Sequence, residues 1–337
     1  MNFTKNILSK LFARWMNDNG VSEEYLDTVL QNTLSPKGFL WDFFWRRAVD
    51  VHSDRVAMRR NIVLSMPDRD ASQYAEELEM LKKLPNGRWS PFLYAKVREA
   101  KDHEAGYDRK LRLPFVVHNC HRLYFPKWMT TDEALKAYRY FLEEEGITGD
   151  GLYAKSPHCY QTPDFKVDDG DIVLDIGCSE ALFALDVVER AAEVYAFETL
   201  RHWRKPNMAT FAPFGKKVHI VNKFVGGETK GSMTRLEDAV KGCPADATFF
   251  MKMDIEGGER TVIESSEQFL RSHKVKLACA AYHRQDDATW LAEKLKEIGF
   301  KVFFSDGYML PLMKDFTYPY FRKTIIYAQN FNCTTNR

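Results

Sequence analysis

Three short segments of this 337-residue chain carry side chains suited to holding a small polar ligand and reacting it. In the first, Asp171 to Leu185, an apolar run ends in Asp175-Ile176-Gly177 and a second apolar run begins at helical spacing. An acid, a tight glycine turn and a helix start describe a ligand-binding strand, loop and helix. The second segment, Val194 to Glu198, places Glu198 23 residues beyond Asp175, where a strand-end acid accepts both hydroxyls of a ribose. The third runs from Phe249 to Glu259, with Asp254 at a strand end and Glu256, Gly257, Gly258 and Glu259 in the turn entering a helix. Acids and glycines this dense at a strand end mark a functional loop, although Glu259 also suits a helix start. Lys252, on the same strand face as Asp254, either pairs with a loop carboxylate or reaches solvent.

A further strand ends at Ala281-Tyr282-His283. If it neighbours the Asp254 strand, His283 and Asp254 line one cleft, and a histidine titrating near neutrality would act there as general base or substrate orienter. The first loop is not a pyrophosphate cradle, because Ser179 and Ala181 stand where GxGxxG would place glycines. An acid ahead of the glycine suits instead a ligand with an ammonium or hydroxyl group and no phosphate. Asp254, Glu256 and His283 could take a divalent cation, and His118 with His121 beside Cys120 is half a zinc site. Neither has the paired spacing that compels a metal, and none is expected.

The elements that position these residues follow from the alternation of short apolar runs and helical stretches after residue 165. The spacing predicts strands at 171–175, 193–197, 217–221, 247–253, 275–282, 300–304 and 323–329, and helices at 180–190, 203–211, 259–270 and 287–298. Alternation of this kind means βαβ units and an α/β fold, a doubly wound, mostly parallel sheet with ligands beyond the carboxyl ends of its strands. No helix separates the last two strands, which predicts a final antiparallel strand at the sheet edge. The first 150 residues read as mainly helical: an amphipathic helix at 3–16, one at 71–83 stopped by Pro85-Asn86-Gly87, and one behind a Thr130/Glu133 capping box that ends at Gly146. Residues around His118 and His121 read as strand. Trp15, Trp41, Trp45, Trp89 and Trp128 all fall in this half, where such aromatics pack more often than they bind.

Composition excludes several classes. Forty-eight lysines and arginines oppose 47 acids, and the first 150 residues carry 23 against 22, so no basic arm stands out and a nucleic-acid partner is not expected. With 45% hydrophobic and 28% charged residues the chain reads as a soluble globular protein of one large domain or two. Six scattered cysteines without a CxxC pair suit a reducing cytoplasm. The N-terminus interleaves Lys5, Lys10 and Arg14 with apolar residues, unlike a secretory signal, and no run approaches an integral membrane span. Ordinary packing is therefore preferred to a membrane-surface anchor for the helix at 3–16.

At these motifs the chain resembles the FkbM-type family of S-adenosylmethionine-dependent methyltransferases. The resemblance rests on VLDIGCSEALFAL, on VYAFE and above all on FFMKMDIEGGERTVIESSEQFL, which is similar to that family's K-x-D-x-E-G-x-E signature. Ser156 to Tyr160 is similar to its lead-in to the first strand. The resemblance covers about residues 155–330 and implies a Rossmann-like class I methyltransferase domain at 151–332, with residues 1–150 as an acceptor-binding or interaction region. It implies that Asp175 and Gly177 hold the methionine portion of the donor, that Cys178, Ser179 and Glu180 line the first loop, that Glu198 takes the ribose and that Tyr160 touches the cofactor. Asp254 would face the methyl-transfer cleft. Ala181 stands where members often keep glycine.

The residues predict O-methylation with Asp254, His283 and Glu256 as the catalytic residues, and the resemblance implies that the hydroxyl is on a sugar, glycan or small metabolite. A base helps chiefly when the acceptor is a hydroxyl, whose proton must leave. One rival is a dehydrogenase using NAD, favoured by Glu198 and opposed by the missing phosphate-loop glycines. Another is a scaffold that keeps the fold without turnover.

Overall fold

The computed structural model describes residues 57–67, 71–84, 103–147, 157–311 and 316–331. The predicted helix at 3–16, the stop at Pro85-Asn86-Gly87 and all the tryptophans named above except Trp128 lie outside these residues. The described residues fall into two compact units, one holding those up to Leu84 with Leu310, Pro311 and Phe316, the other holding the rest.

In the smaller unit, residues 57–64 are helical and a 3-10 turn at Ser72–Tyr74 leads into a helix at Ala75–Lys83. Tyr74, Leu78 and Leu81 form its buried stripe. Glu76 and Glu77 begin this helix and Lys82 and Lys83 end it, each matching the sign of the helix dipole. Arg60 donates to the carbonyls of Leu84 and Lys82, at 2.6 and 3.1 Å, so the last turn is capped by a side chain.

The larger unit opens with an antiparallel meander, β1 (Ala105–Asp108), β2 (Leu113–His118) and β3 (His121–Tyr124). Asn119 and Cys120 join β2 to β3, both with positive φ (46° and 67°), as a two-residue hairpin turn requires. This sheet answers to the strand read around His118 and His121, in a stretch whose other described elements are helical. Its apolar run at β2 is too short and too β-branched to hold a helix. Next comes α1 (Thr131–Glu144), begun by the expected capping box: Thr130 Oγ1 accepts from the Glu133 amide at 3.2 Å and Glu133 Oε2 from the Thr130 amide at 2.7 Å.

A seven-stranded sheet follows, with β4 (Ile172–Ile176), β5 (Glu193–Phe197), β6 (Val218–Val221), β9 (Thr248–Met253), β10 (Lys274–Ala280), β11 (Lys301–Phe304) and β12 (Ile325–Gln329). The two-residue strands β7 (Phe224–Val225) and β8 (Met233–Thr234) pair separately. The helices are α2 (Leu182–Val187), α3 (Arg201–Phe211), α4 (Leu236–Ala239), α5 (Glu259–Ser265), α6 (Glu267–Ser272) and α7 (Asp287–Glu297). The sheet order is β11-β12-β10-β9-β4-β5-β6, and β12 is antiparallel to both of its neighbours. This is the doubly wound, Rossmann-like arrangement predicted, with one correction: the antiparallel strand lies one place inside the edge, and β11 forms the edge. Burial gives the reason. Ile325 to Ala328 are covered on both faces, whereas Lys301 and Phe303 of β11 reach solvent.

Alternate residues of the central strands serve two cores. Val173, Val194, Ala196 and Phe250 face a layer containing Tyr138 of α1, Phe183 of α2 and Trp203 and Phe211 of α3. Ile172, Leu174, Tyr195, Phe249 and Met251 face Leu236, Ile263, Phe269 and Leu295 from α4 to α7. Among the described residues no helix is long and apolar enough to cross a membrane.

At the amino end of the sheet, buried Lys276 of β10 reaches Asp168 Oδ2 at 2.8 Å, Asp171 Oδ2 at 2.5 Å and the Lys166 carbonyl at 2.8 Å. The Asp171 side chain is 6% exposed, so truncating the lysine would leave a buried carboxylate unpaired. Lys276→Met is expected to cost about 3 kcal/mol in urea unfolding, and adding Asp171→Asn to recover a substantial part of it. Independent, additive losses would show that the pair is not coupled.

Candidate functional site

The carboxyl ends of β4, β5 and β9 meet in one interlocked set of loops. Gly177 leaves β4 with φ +80°, and a Cβ built on it would stand 1.9 Å from the Asp254 carbonyl oxygen. Only glycine fits there. The Asp254 amide donates to the Ile176 carbonyl at 3.0 Å, and the Gly177 and Cys178 amides both reach the Phe197 carbonyl, also at 3.0 Å. Asp175 and Lys252 are register partners on β4 and β9. Lys252 Nζ donates to the Gly177 carbonyl at 2.7 Å and lies 3.2 Å from Asp175 Oδ1. Of the two readings of Lys252, pairing is therefore the one realised. Burial alone would lower its pKa, but Asp175, Asp254 and Glu145 outweigh that and hold it raised. Asp175 is wholly buried, with its pKa pushed up by burial and partly restored by Lys252.

Glu198 ends β5 as expected, and both its oxygens are engaged by backbone. The Ser179 amide donates to Oε2 at 3.0 Å and the Leu200 amide to Oε1 at 2.6 Å, so one carboxylate ties the first loop to the start of α3. Burial raises its pKa and these amides lower it in part. A carboxylate has lone pairs left for two hydroxyls after two such bonds. Asn207 of α3, absent from the sequence reading, donates to the Ser179 carbonyl at 2.9 Å. The Cys178 thiol is buried, and burial pushes its pKa up. Glu180 is buried beside it and is raised to about 7, chiefly by burial. Ala181 adopts φ 65°, so α2 begins only at Leu182, two residues later than predicted.

Asp254 is the hub of the second half of the site. Its Oδ2 accepts from Tyr160 Oη at 2.6 Å and Tyr282 Oη at 3.0 Å, and His158 Nε2 lies 3.4 Å away. His283 Nε2 lies 3.4 Å from Oδ1 and 3.5 Å from Glu256 Oε2, while its Nδ1 is 3.0 Å from Glu259 Oε1. The neighbouring positions of β9 and β10 thus bring His283 and Asp254 together as the sequence suggested. Burial would lift the Asp254 pKa, but His158, His283 and Lys252 outweigh it and hold the group well below the carboxylate range. Burial would likewise lower His283, yet Glu259, Asp254 and Glu256 raise it to about 10. The three carboxylates thus favour the protonated form of His283 at neutrality. His158, by contrast, has its pKa lowered by burial.

Tyr282 and the pairing role of Glu259 escaped sequence reasoning, whereas His158 lies in the lead-in whose tyrosine or histidine the resemblance puts against the cofactor. Tyr282 and His283 are adjacent, and only the strand's end geometry turns both toward one carboxylate. Arg322 fixes that geometry by donating to the Tyr282 carbonyl at 2.6 Å and the His283 carbonyl at 3.2 Å.

Asp254, Glu259 and His283 are close enough for a metal. His283 addresses Asp254 and Glu259 through opposite ring nitrogens. His118 and His121 are carboxylate partners instead, His118 Nε2 to Asp186 at 3.1 Å and His121 Nε2 to Glu189 at 2.9 Å.

No family model matches the chain, and no curated relative does. Among solved structures it is similar to the methyltransferase FkbM from Methylobacillus flagellatus KT, with 19% identity and a TM-score of 0.40, over 58% of this chain and 54% of that one. The chain thus spans about half the length of that protein. It is also similar to precorrin-6y C5,15-methyltransferase from Geobacter metallireducens GS-15, with 15% identity and a TM-score of 0.32, over 49% of this chain and 84% of that one. An rRNA methylase from Streptococcus thermophilus aligns with 13% identity and a TM-score of 0.31, over 49% of this chain and 88% of that one.

Two of the three left-handed positions of the first loop, Gly177 and Ala181, predict opposite outcomes. Gly177→Ala should cost about 3 kcal/mol or more, because backbone carbonyl must move. Ala181→Gly should stabilise by about 0.5–1 kcal/mol, relief of the left-handed penalty exceeding the entropy lost by glycine. Chemical denaturation of both variants tests the pair, and a destabilising Ala181→Gly would contradict the loop geometry.

The His283 cluster sets a pH window. An unfolded histidine titrates near 6.5, so the stabilisation His283 draws from its carboxylates is complete below that pH and is lost as pH rises through about 10. The contribution of Asp254, whose pKa is lowered, is complete above about 3.8 and fades only in stronger acid. Ring nitrogen NMR shifts should show His283 doubly protonated at pH 8. Titration near 6.5 would sink this account.

Proposed function

We propose that the chain is a methyltransferase that uses S-adenosylmethionine and methylates a hydroxyl on a sugar, glycan or small metabolite. The observation that carries this reading is the donor set at the strand ends. Asp175, Glu180, Glu198 and Asp254 are buried or nearly so around Lys252, and no phosphate cradle accompanies them. Such a site favours a cationic ligand with ribose hydroxyls. It disfavours the pyrophosphate of NAD, which would face carboxylates.

When bound, the donor supplies a methyl group on a sulfonium, which an acceptor oxygen takes in line as the carbon–sulfur electron pair leaves on sulfur. The chain's part is to hold, orient and keep dry. Glu198 keeps lone pairs for the ribose hydroxyls, with Gly177 to Glu180 walling the donor's amino-acid end. Tyr160 closes the site beside Asp254. Asp254, anionic and fixed by two tyrosines, accepts a hydrogen bond from the acceptor hydroxyl and so aims its oxygen. His283 holds Asp254 and Glu256 in place as their shared counter-ion. Glu256, whose side chain is 76% exposed, is the carboxylate of this trio that can pass the released proton to water.

Calorimetric titration of S-adenosylmethionine and, separately, of NAD tests the reading. Micromolar binding of the first alone is expected, weakened at least about tenfold by Glu198→Gln, which loses charge-assisted acceptance of the ribose hydroxyls. Binding of NAD in its place would favour a dehydrogenase, and binding of neither would favour a scaffold.

A further inference from the structure

The charge of the chain sums almost to zero, but the fold does not spread it evenly. Residues 109–128 contain five lysines and arginines and no acid, and residues 199–217 contain another five and no acid. These two segments pack on each other. The Tyr124 amide donates to Thr210 Oγ1 at 3.0 Å, and Lys205 Nζ donates to the Leu111 carbonyl at 2.6 Å, within the turn that carries the first three cations. Asp108, the acid bordering this turn, is occupied by Tyr124, by two backbone amides and by Arg122. One face, built from the β1–β3 meander and the outer side of α3, is thus strongly basic.

Flat and apolar side chains are interleaved with these cations. Trp128 is 56% exposed and meets His202 of α3 edge-on, Tyr107 is 50% exposed, and Leu200 and Met208 lie bare on the α3 stripe that also holds exposed Arg204. Solvated lysines alone would mark a soluble surface. Cations alternating with exposed rings, the neighbouring Asp108 and Glu104 both being drawn to Arg122, fit a chain of phosphates with unpaired bases, because cations neutralise the backbone and rings stack on bases. A duplex would offer phosphates but no free base faces.

We infer that this face binds single-stranded RNA. The Leu200 amide at the head of α3 is the one bonded to Glu198, so a strand lying along α3 passes the strand-end site. A ribose hydroxyl is itself a hydroxyl on a sugar; only that last role, RNA as acceptor, rests on the methyl-transfer reading, and binding does not. The near-neutral net charge that spoke against nucleic acid is an average over the whole chain and is compatible with a local basic face.

Fluorescence anisotropy with the full chain, no donor present and a labelled RNA of about 20 mixed-sequence nucleotides tests the inference. If four phosphates are neutralised, affinity should fall about fiftyfold between about 50 and 200 mM salt. Arg201→Glu with Arg204→Glu should weaken binding at least about tenfold, and Lys274→Glu with Lys296→Glu, the same charge change away from α3, less than about threefold. Trp128→Ala should weaken RNA at least about fivefold and leave heparin unchanged. Absence of RNA binding at the lower salt, or equal loss from both charge reversals, would overturn the proposal. Heparin bound as tightly as RNA, with Trp128→Ala without effect on either, would overturn it in favour of an acidic polysaccharide. Because no donor is present, failure here leaves the methyl-transfer reading standing, and failure of that reading leaves this one.

Discussion

The structure depends on one close approach, that of the Gly177 backbone to the Asp254 carbonyl. A hydrogen in place of a methyl lets the loop after β4 lie directly against the loop after β9. Once they touch, the Asp254 amide can reach Ile176 and Lys252 can reach the Gly177 carbonyl. The third loop is drawn in through the Phe197 carbonyl and the Glu198 carboxylate. Three strand ends become one rigid platform because backbone groups left over at each end satisfy those of another. Side chains with chemistry are then set on a frame that packing holds still.

Burying so many carboxylates on that platform is costly unless each has donors or a counter-ion. Different residues meet the demand in different ways. Asp175 relies on a lysine one strand away, Glu198 on backbone amides, and Asp254 on two tyrosines and two histidines. These solutions are not equivalent for function. Lys252 lies beneath the first loop and stabilises charge without presenting it, whereas the tyrosines fix Asp254 while leaving it partly exposed, its side chain at 16%. An anion held this firmly is a poor proton acceptor and a good orienter. Under the proposed methyl transfer, that would separate the group that aims an acceptor from the group that carries away its proton.

Much of this was legible in the sequence because it was local. The apolar period named the sheet strands to within a few residues, the acids at positions 175, 198 and 254 stood at strand ends, and Thr130 and Glu133 spelled out a helix cap. What escaped was non-local. Whether β12 sits at the edge depends on which strand is covered on both faces, and the continuous apolar run Ile325 to Ala328 beside half-exposed β11 held that information in a form the crossover argument did not use. Of the β1–β3 meander only the strand around His118 and His121 was legible, because its strands are short and follow helical surroundings. That Tyr282 joins His158 was not readable, because the two are 124 residues apart and meet only across the site. Glu198 was readable as an acid in the right place, but not as the brace between two loops.

Charge shows the same limit most sharply. A net value near zero is compatible with a uniform mosaic and equally with an acidic site and a basic face side by side, and the two differ greatly in the field outside the molecule. The sign pattern was present locally, in two acid-free stretches about 80 residues apart, but neither alone exceeds what a solvated helix or hairpin carries. It is the packing of α3 against β3, through Tyr124 and Thr210, that superposes them. The acids of the strand-end site are buried or nearly so and paired, so they do little to cancel the exposed cations. A buried carboxylate with its own lysine or histidine is nearly neutral from a distance, whereas an exposed arginine without an acid beside it is not. Burial, more than composition, therefore decides which charges a partner meets.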